Sequence, residues 1–151
     1  MKFRLGKHDP GVRHYIEAKK EMIPKAMRMF GLEFYRQVII STPVDTGRAR
    51  YGWNCAIGMP DFSVPAEAPA DWVGQSSGGG AYYSVDAERA DKKFAVKDLD
   101  IGVTIFITNA VPYISSLNDG HSRQAPARFV ELAFLNAVEK LKIWINNGGR
   151  S

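Results

Sequence analysis

The chain has 151 residues, of which 45% are hydrophobic and 24% charged, and a formal charge of +4. That is the size of one domain able to bury roughly two thirds of its unfolded surface without a metal or disulfide, and the balance excludes both a disordered chain and a bilayer-spanning one. A pI of about 9.2 is basic, but Lys and Arg are mixed with acids along the helical segments rather than gathered in an aromatic-rich block, which argues against dedicated nucleic-acid binding.

The N-terminal Met-Lys-Phe-Arg-Leu-Gly-Lys-His lacks the sustained apolar core of a secretion signal, so the protein is expected to stay where it is made. Residues up to about Pro10 read as a mobile polar tail. From Gly11 to Ser41, Val12, Tyr15, Ile16, Ile23, Met27, Phe30, Phe34 and Val38 recur at helical spacing, giving a long amphipathic helix with a kink or a break expected at Pro24. Pro43 stops that helix, and Asp45 and Gly47 make a tight corner: the Asp45 carboxylate can accept from the N–H of Gly47 or Arg48, and Gly47 supplies a permissive φ.

Beyond the corner, Ala49, Tyr51, Trp53, Cys55 and Ile57 alternate with polar or small residues, as in a half-buried strand. The lone Cys55 cannot form an internal disulfide and reads as an inert, buried thiol. The pattern then disappears from Met59 to Tyr83, where three prolines and a Gly-rich end mark an extended arm covering either its own sheet or a neighbouring subunit. Ser84 can cap a short helix to about Lys97, although a strand ending near Asp98 fits as well. Val103 to Asn109 is the strongest strand signal, Pro112 to Leu117 a single helical turn, and a final helix runs from Pro126 to about Ile145 with Phe129, Leu132, Ala133, Ala137, Leu141 and Trp144 on its apolar stripe. The expected architecture is a single α+β domain in which long N-terminal and C-terminal helices pack on a short, mostly antiparallel sheet.

Chemistry-bearing patterns are few. Asp45-Thr46-Gly47 matches the aspartic protease triplet, and one copy per chain would serve a symmetric dimer whose two carboxylates share a proton. Its context differs: a helix and Pro43 precede it, and Arg48 follows where that family has a small residue, a cation that would hold both carboxylates ionised. His8, His14 and His121 have no ligand-pair spacing, the Gly78 to Gly80 run lacks the Lys-Ser or Lys-Thr of a phosphate loop, and Cys55 has no evident histidine partner. The expectation is a non-enzyme with no metal or cofactor.

Four segments taken together carry a resemblance. Thr42-Pro-Val-Asp-Thr-Gly-Arg-Ala-Arg50 followed by Trp53, Thr108-Asn-Ala-Val-Pro-Tyr113, Leu117-Asn-Asp-Gly120 and Ser122-Arg-Gln-Ala-Pro-Ala127 resemble, in matching order from about Ile23 to Phe134, the tail-component proteins of tailed bacteriophages, the group that includes minor tail protein Z of lambda-like phages and related tail-completion and neck proteins. Ile114 and Ser115 stand where small residues are usual, Asn118 replaces a common glutamate, and the arm matches no pattern. The resemblance implies a virion protein, present in the host cytoplasm during assembly, that forms a ring of six copies at the head-proximal end of the tail or in the neck and contacts other tail, neck or connector proteins. DNA would pass through its lumen without sequence-specific binding, and no membrane would be involved.

A tail terminator, which caps tube polymerisation with a similar ring, is the sibling alternative. On this reading the structural corner comprises Pro43, Asp45, Thr46 and Gly47. Arg48, Arg50, Trp72, Tyr113 and Asp119 are the interface candidates, with Arg48 and Arg50 projecting from the corner, Asp45 and Asp119 available to pair with them or with a neighbouring chain, and Trp53 packing within its own chain. The corner is expected to brace a helix against a sheet edge rather than to line a solvent-filled cleft with a second carboxylate opposite.

Overall fold

A computed structural model describes residues 10–72, 91, 93, 94 and 99–150. The expected tail before Pro10, the arm beyond Trp72 and most of the expected 84–97 helix lie outside the described residues, although Asp91 and Lys93 have helical backbone.

The first helix, α1, spans Pro10–Ser41 and runs unbroken through Pro24. Of the kink or break expected there, the break does not occur. The carbonyl of Lys20, which a proline four residues on leaves without its ladder donor, sits on an exposed stretch, where leaving it open to solvent costs little. The expected strand from Ala49 also starts late, because a single turn of helix, α2 (Arg48–Tyr51), intervenes. Gly47 precedes it in the left-handed region at φ 76°. Its carbonyl accepts from Tyr51 N at 2.8 Å, and Gly52 N donates to Arg48 O at 2.9 Å. Gly52 is required by a close approach rather than by its dihedral angles: a Cβ there would come within 2.6 Å of Val111 Cγ2.

Strand β1 (Trp53–Ile57) pairs antiparallel with β2 (Ile105–Asn109) in the register Trp53↔Asn109, Cys55↔Ile107, Ile57↔Ile105. Helix α3 (Ile114–Asn118) follows, and Gly120 at φ 95° turns the chain away from it. Helix α4 (Phe129–Asn146) begins three residues later than Pro126 and ends on Gly148 and Gly149, both at positive φ, with Gly149 N donating to Trp144 O at 2.9 Å, a left-handed C-terminal stop. The result is an α+β fold whose long N-terminal and C-terminal helices flank a two-stranded antiparallel sheet.

α1 and α4 pack against each other along much of their length. Ala133 and Ala137 are fully buried on α4 and let the helices approach closely, while Phe30, Phe34 and Phe134 meet edge to face at centroid distances of 5.5 and 5.6 Å. The core joins Tyr35, Val38 and Ile39 of α1 to Trp53, Trp72, Phe94 and Phe129, each such burial contributing about 1.5–3 kcal/mol. Tyr15, Ile16 and Ile23 on α1 and Leu132 on α4, expected on buried stripes, are exposed instead. The register of these helices places the stripes beyond or beside the surface that the partner helix covers.

Candidate interaction surface at the helix to strand corner

Side chains hold the corner more than backbone does. Thr42, which is buried, donates its hydroxyl to Val38 O at 2.5 Å and accepts from Trp53 Nε1 at 2.8 Å, so the last turn of α1 is fastened to the first residue of β1. Tyr35 adds a second tie, its hydroxyl donating to Trp53 O at 2.8 Å. Burial pushes the Tyr35 phenol well above its ordinary range, so it stays a donor. Burial likewise raises the Cys55 thiol to about 11, in keeping with an inert cysteine.

The arginines turn inward, which corrects the expectation that both project from the corner. Arg50 is only 6% exposed and donates to Thr42 O at 3.0 Å and Ile40 O at 3.3 Å, capping the orphan carbonyls at the end of α1. The physical reason is α2: its helical turn buries both Ala49 and Arg50, where a strand would have turned Ala49 inward and Arg50 outward. Arg48 is half-buried and donates from Nε to Pro65 O at 2.8 Å, pinning the start of the arm to the corner.

Trp72 is corrected in the same way. Expected between subunits, it is 6% exposed within its own chain, edge-on to Tyr51 at 5.1 Å between centroids. Trp53, expected to pack within the chain, is 5% exposed and does so.

Asp45 is exposed and, among the described residues, makes no side-chain hydrogen bond. Gly47 itself occupies the N-cap position of α2, and the carboxylate faces water. Asp119 is also exposed and, among the described residues, meets neither arginine. Pro43 is buried, Thr46 is exposed, and Tyr113 is half-exposed beside them.

What ties the corner from outside is Gln124, whose Oε1 accepts from Val44 N at 2.9 Å. Asn109 Nδ2 donates to Ala49 O at 2.8 Å while its Oδ1 accepts from Val111 N at 3.0 Å. Asn118 Oδ1 accepts from Val130 N at 3.0 Å, and its carbonyl from Arg128 N at 2.5 Å. The four segments singled out in the sequence, at 42–50, 108–113, 117–120 and 122–127, are therefore one structural unit, bonded to one another or to the start of α4.

That unit lines a cleft of about 870 Å³ running from Pro43 to Ala49, across Glu67 and Ala68 of the arm, to Tyr113, Leu117 and His121. The expectation of no cleft is thus corrected, and Glu67 puts a second carboxylate on its wall. Both Asp45 and Glu67 are exposed. No hydrogen bond joins the two carboxylates among the described residues, so they are not held together as a dyad. No group of three or more His, Cys, Asp or Glu able to hold a metal occurs among the described residues, and no helix there is long and apolar enough to cross a membrane.

Lys93 is the residue that sequence reasoning missed. Its ammonium donates to Tyr51 O and, at 2.8 Å, to Trp53 O, and it lies 4.0 Å from the centroid of the Tyr51 ring. Burial brings its pKa down to about 8, with Asp61 opposing the fall. A lysine in a polar stretch carries no sequence signal of such a seat, because its partners are backbone carbonyls forty residues away. Asn54 is another: Nδ2 donates to Ser63 O at 2.8 Å, and with Thr108, whose hydroxyl bonds Asp61 O, it lays the arm on the polar face of the sheet. An asparagine mid-strand is a faint signal of that kind, since asparagine is depleted in strands.

Comparison with family models, with curated proteins and with solved structures gives no match.

Proposed function

We propose that this chain is a non-enzymatic structural subunit that assembles into a closed ring of six copies at the head-proximal end of a phage tail, completing the tail or joining it to the head. The observation that carries the reading is the convergence of the four resemblance segments around one cleft, where Gln124 and Asn109 use their side chains to fix the backbone of the corner and Asn118 fixes the start of α4. Such a corner is a rigid mount. Tyr113, a large side chain 39% exposed on the wall of that cleft, gives it an apolar contact point for a neighbouring subunit.

The acid-protease reading fares less well on physical grounds. Asp45 is exposed, follows a helix and stands shortly before the inward-turned guanidinium of Arg48, whereas a shared-proton dyad needs a second carboxylate held directly against the first. The test is electron microscopy of virions with a label specific for this chain. Label at the junction of head and tail tube supports the proposal, with its position above or below the tube end separating completion from termination. Absence of label from virions, together with peptide cleavage by the purified chain that Asp45→Asn abolishes, overturns it.

A further inference from the structure

We infer that Lys93 is a clasp: seated on α2, β1 and the Ala70–Trp72 turn at once, its amine holds the arm-side wall of the cleft in place, and the wall loosens as the amine takes up its proton. That wall is the stretch Ala66, Glu67 and Ala68. Arg48 fastens it at one end through Pro65 O, and Trp72, only 6% exposed, anchors the other. Trp72 meets the body of the fold at the Tyr51 ring, 5.1 Å away. The Lys93 amine lies against both rings, 4.0 Å from the centroid of Tyr51 and 5.9 Å from that of Trp72. None of these contacts involves a second copy, so the clasp operates in a single chain as in a ring.

The seat is made of carbonyls that neither the ladder nor the helix uses. With Gly58 N donating to Thr104 O at 3.0 Å, the register of β1 and β2 turns the backbone groups of residues 54, 56 and 58 toward the partner strand and those of Trp53 away from it. Trp53 O therefore accepts from the Tyr35 hydroxyl and from Lys93, each at 2.8 Å. Tyr51 O is one of the carbonyls that the end of α2 leaves without a helical donor, and Lys93 supplies that one too. Two acceptors thus meet the amine. An ammonium has three N–H groups and a neutral amine two, so both bonds survive loss of the proton while the charge that burial penalises disappears.

The groups around the seat set the direction of the response. Burial brings the Lys93 pKa from its ordinary 10.5 to about 8, and Asp61 on the arm opposes the fall. Tyr35, which shares Trp53 O, stays un-ionised because burial pushes its phenol well above the ordinary range, and burial raises Cys55, further along β1, to about 11. Asp91, on the same segment as Lys93, is held through both oxygens by Arg36 of α1. When the wall lifts, the amine returns to water and to its ordinary value, so between pH 8 and 10.5 opening takes up a proton. The stabilisation from a neutral Lys93 is complete above that window and is lost as pH falls toward 8. Opening therefore becomes about tenfold rarer per pH unit through the window and levels off at its most frequent below it.

Solvent exchange of backbone amides, followed by nuclear magnetic resonance on the full chain, measures the opening. The Trp72 N–H bonds Pro69 O at 2.8 Å and exchanges when the turn lifts away, whereas Phe62 lies on the exposed part of the same arm. Exchange is catalysed by hydroxide, so the Phe62 amide should quicken steadily with pH. The Trp72 amide should stay nearly level from about pH 8 to about 9.5, its rate relative to Phe62 falling roughly tenfold, because opening declines as hydroxide rises. In Lys93→Met the two amides should quicken in parallel. The ε-methylene resonance of Lys93 in the wild-type chain is a second measure and should titrate near pH 8. If Lys93→Met fails to fold, the wild-type comparison of Trp72 with Phe62 decides alone. A wild-type Trp72 amide that keeps pace with Phe62, or a Lys93 resonance that titrates at its ordinary value, overturns the clasp.

Discussion

Replacing Thr42 by Val exchanges a hydroxyl for a methyl of nearly the same volume at a position only 1% exposed, and removes the two hydrogen bonds of that hydroxyl. The Val38 carbonyl still has a donor, because Thr42 N bonds it at 3.0 Å. The Trp53 indole N–H does not: its partner at 2.8 Å is the lost hydroxyl, and both groups are buried. Losing the bond and orphaning the indole costs about 2–3 kcal/mol, from which an added buried methyl recovers at most about 0.8 kcal/mol. The net is about 2 kcal/mol, which at a urea slope of about 1–3 kcal/mol per molar lowers the unfolding midpoint by roughly 1 M. Thr42→Ser keeps the hydroxyl and loses a methyl, costing about 1 kcal/mol. The serine variant should therefore be the more stable of the two, the reverse of what apolar volume alone gives. In a Trp53→Phe background, where no indole N–H remains, the Thr42→Val substitution should cost less than about 1 kcal/mol. Urea melts followed by circular dichroism measure all of these, and a Thr42→Val chain as stable as wild type would refute the fastening of α1 to β1 described above.

Gly47→Val should destabilise by about 2 kcal/mol or more and Gly47→Asn by clearly less, because φ 76° resists a β-branched residue far more than an asparagine; thermal midpoints rank them. Arg128 holds φ 62° without being glycine, so Arg128→Gly should melt at or above wild type, while Arg128→Val loses about 1–2 kcal/mol. The Lys93 ammonium titrates near pH 8 in the fold and near its ordinary 10.5 when unfolded. Between those values the unfolded chain binds more protons, so this residue's contribution to stability rises with pH, and Lys93→Met should lack that rise when urea midpoints of the two chains are compared across the window. At the other end, burial raises the Glu33 carboxyl, but hydrogen bonds from Gln37 and Lys140 outweigh it and the net shift is downward. Its clamp on Lys140 of α4, at 2.5 Å, is present above the ordinary carboxylate range and is lost as pH falls through the folded value, and Glu33→Gln should flatten that acid limb.

The fold class and both long helices were legible in the sequence because their apolar spacing extends over many turns. Propensity misjudged the 48–51 segment, because Ala49 and Tyr51 alternate like a strand while Gly47 and Gly52 close a helical turn around them. Periodicity also cannot say how far a partner helix reaches, so Ile16, Ile23 and Leu132 looked like core and are surface. At the corner, the residue types were visible but their partners were not. A guanidinium reads as an outward charge until the carbonyls of Ile40 and Thr42 are seen to need it. Trp72 read as an interface residue because nothing local could cover it; Tyr51, twenty-one residues back, does. The asparagines and Gln124 were noted only as parts of a resemblance, and their work as backbone clamps depends on contacts across as many as 80 residues.

Native mass across a rising concentration series puts the ring to its sharpest trial. Six copies of the 16.8 kDa chain should give a discrete species on the order of 100 kDa, with no continuing ladder of larger forms, because a closed circle leaves no free end. A mass of one chain at every concentration, or an open-ended series that never closes, would contradict it.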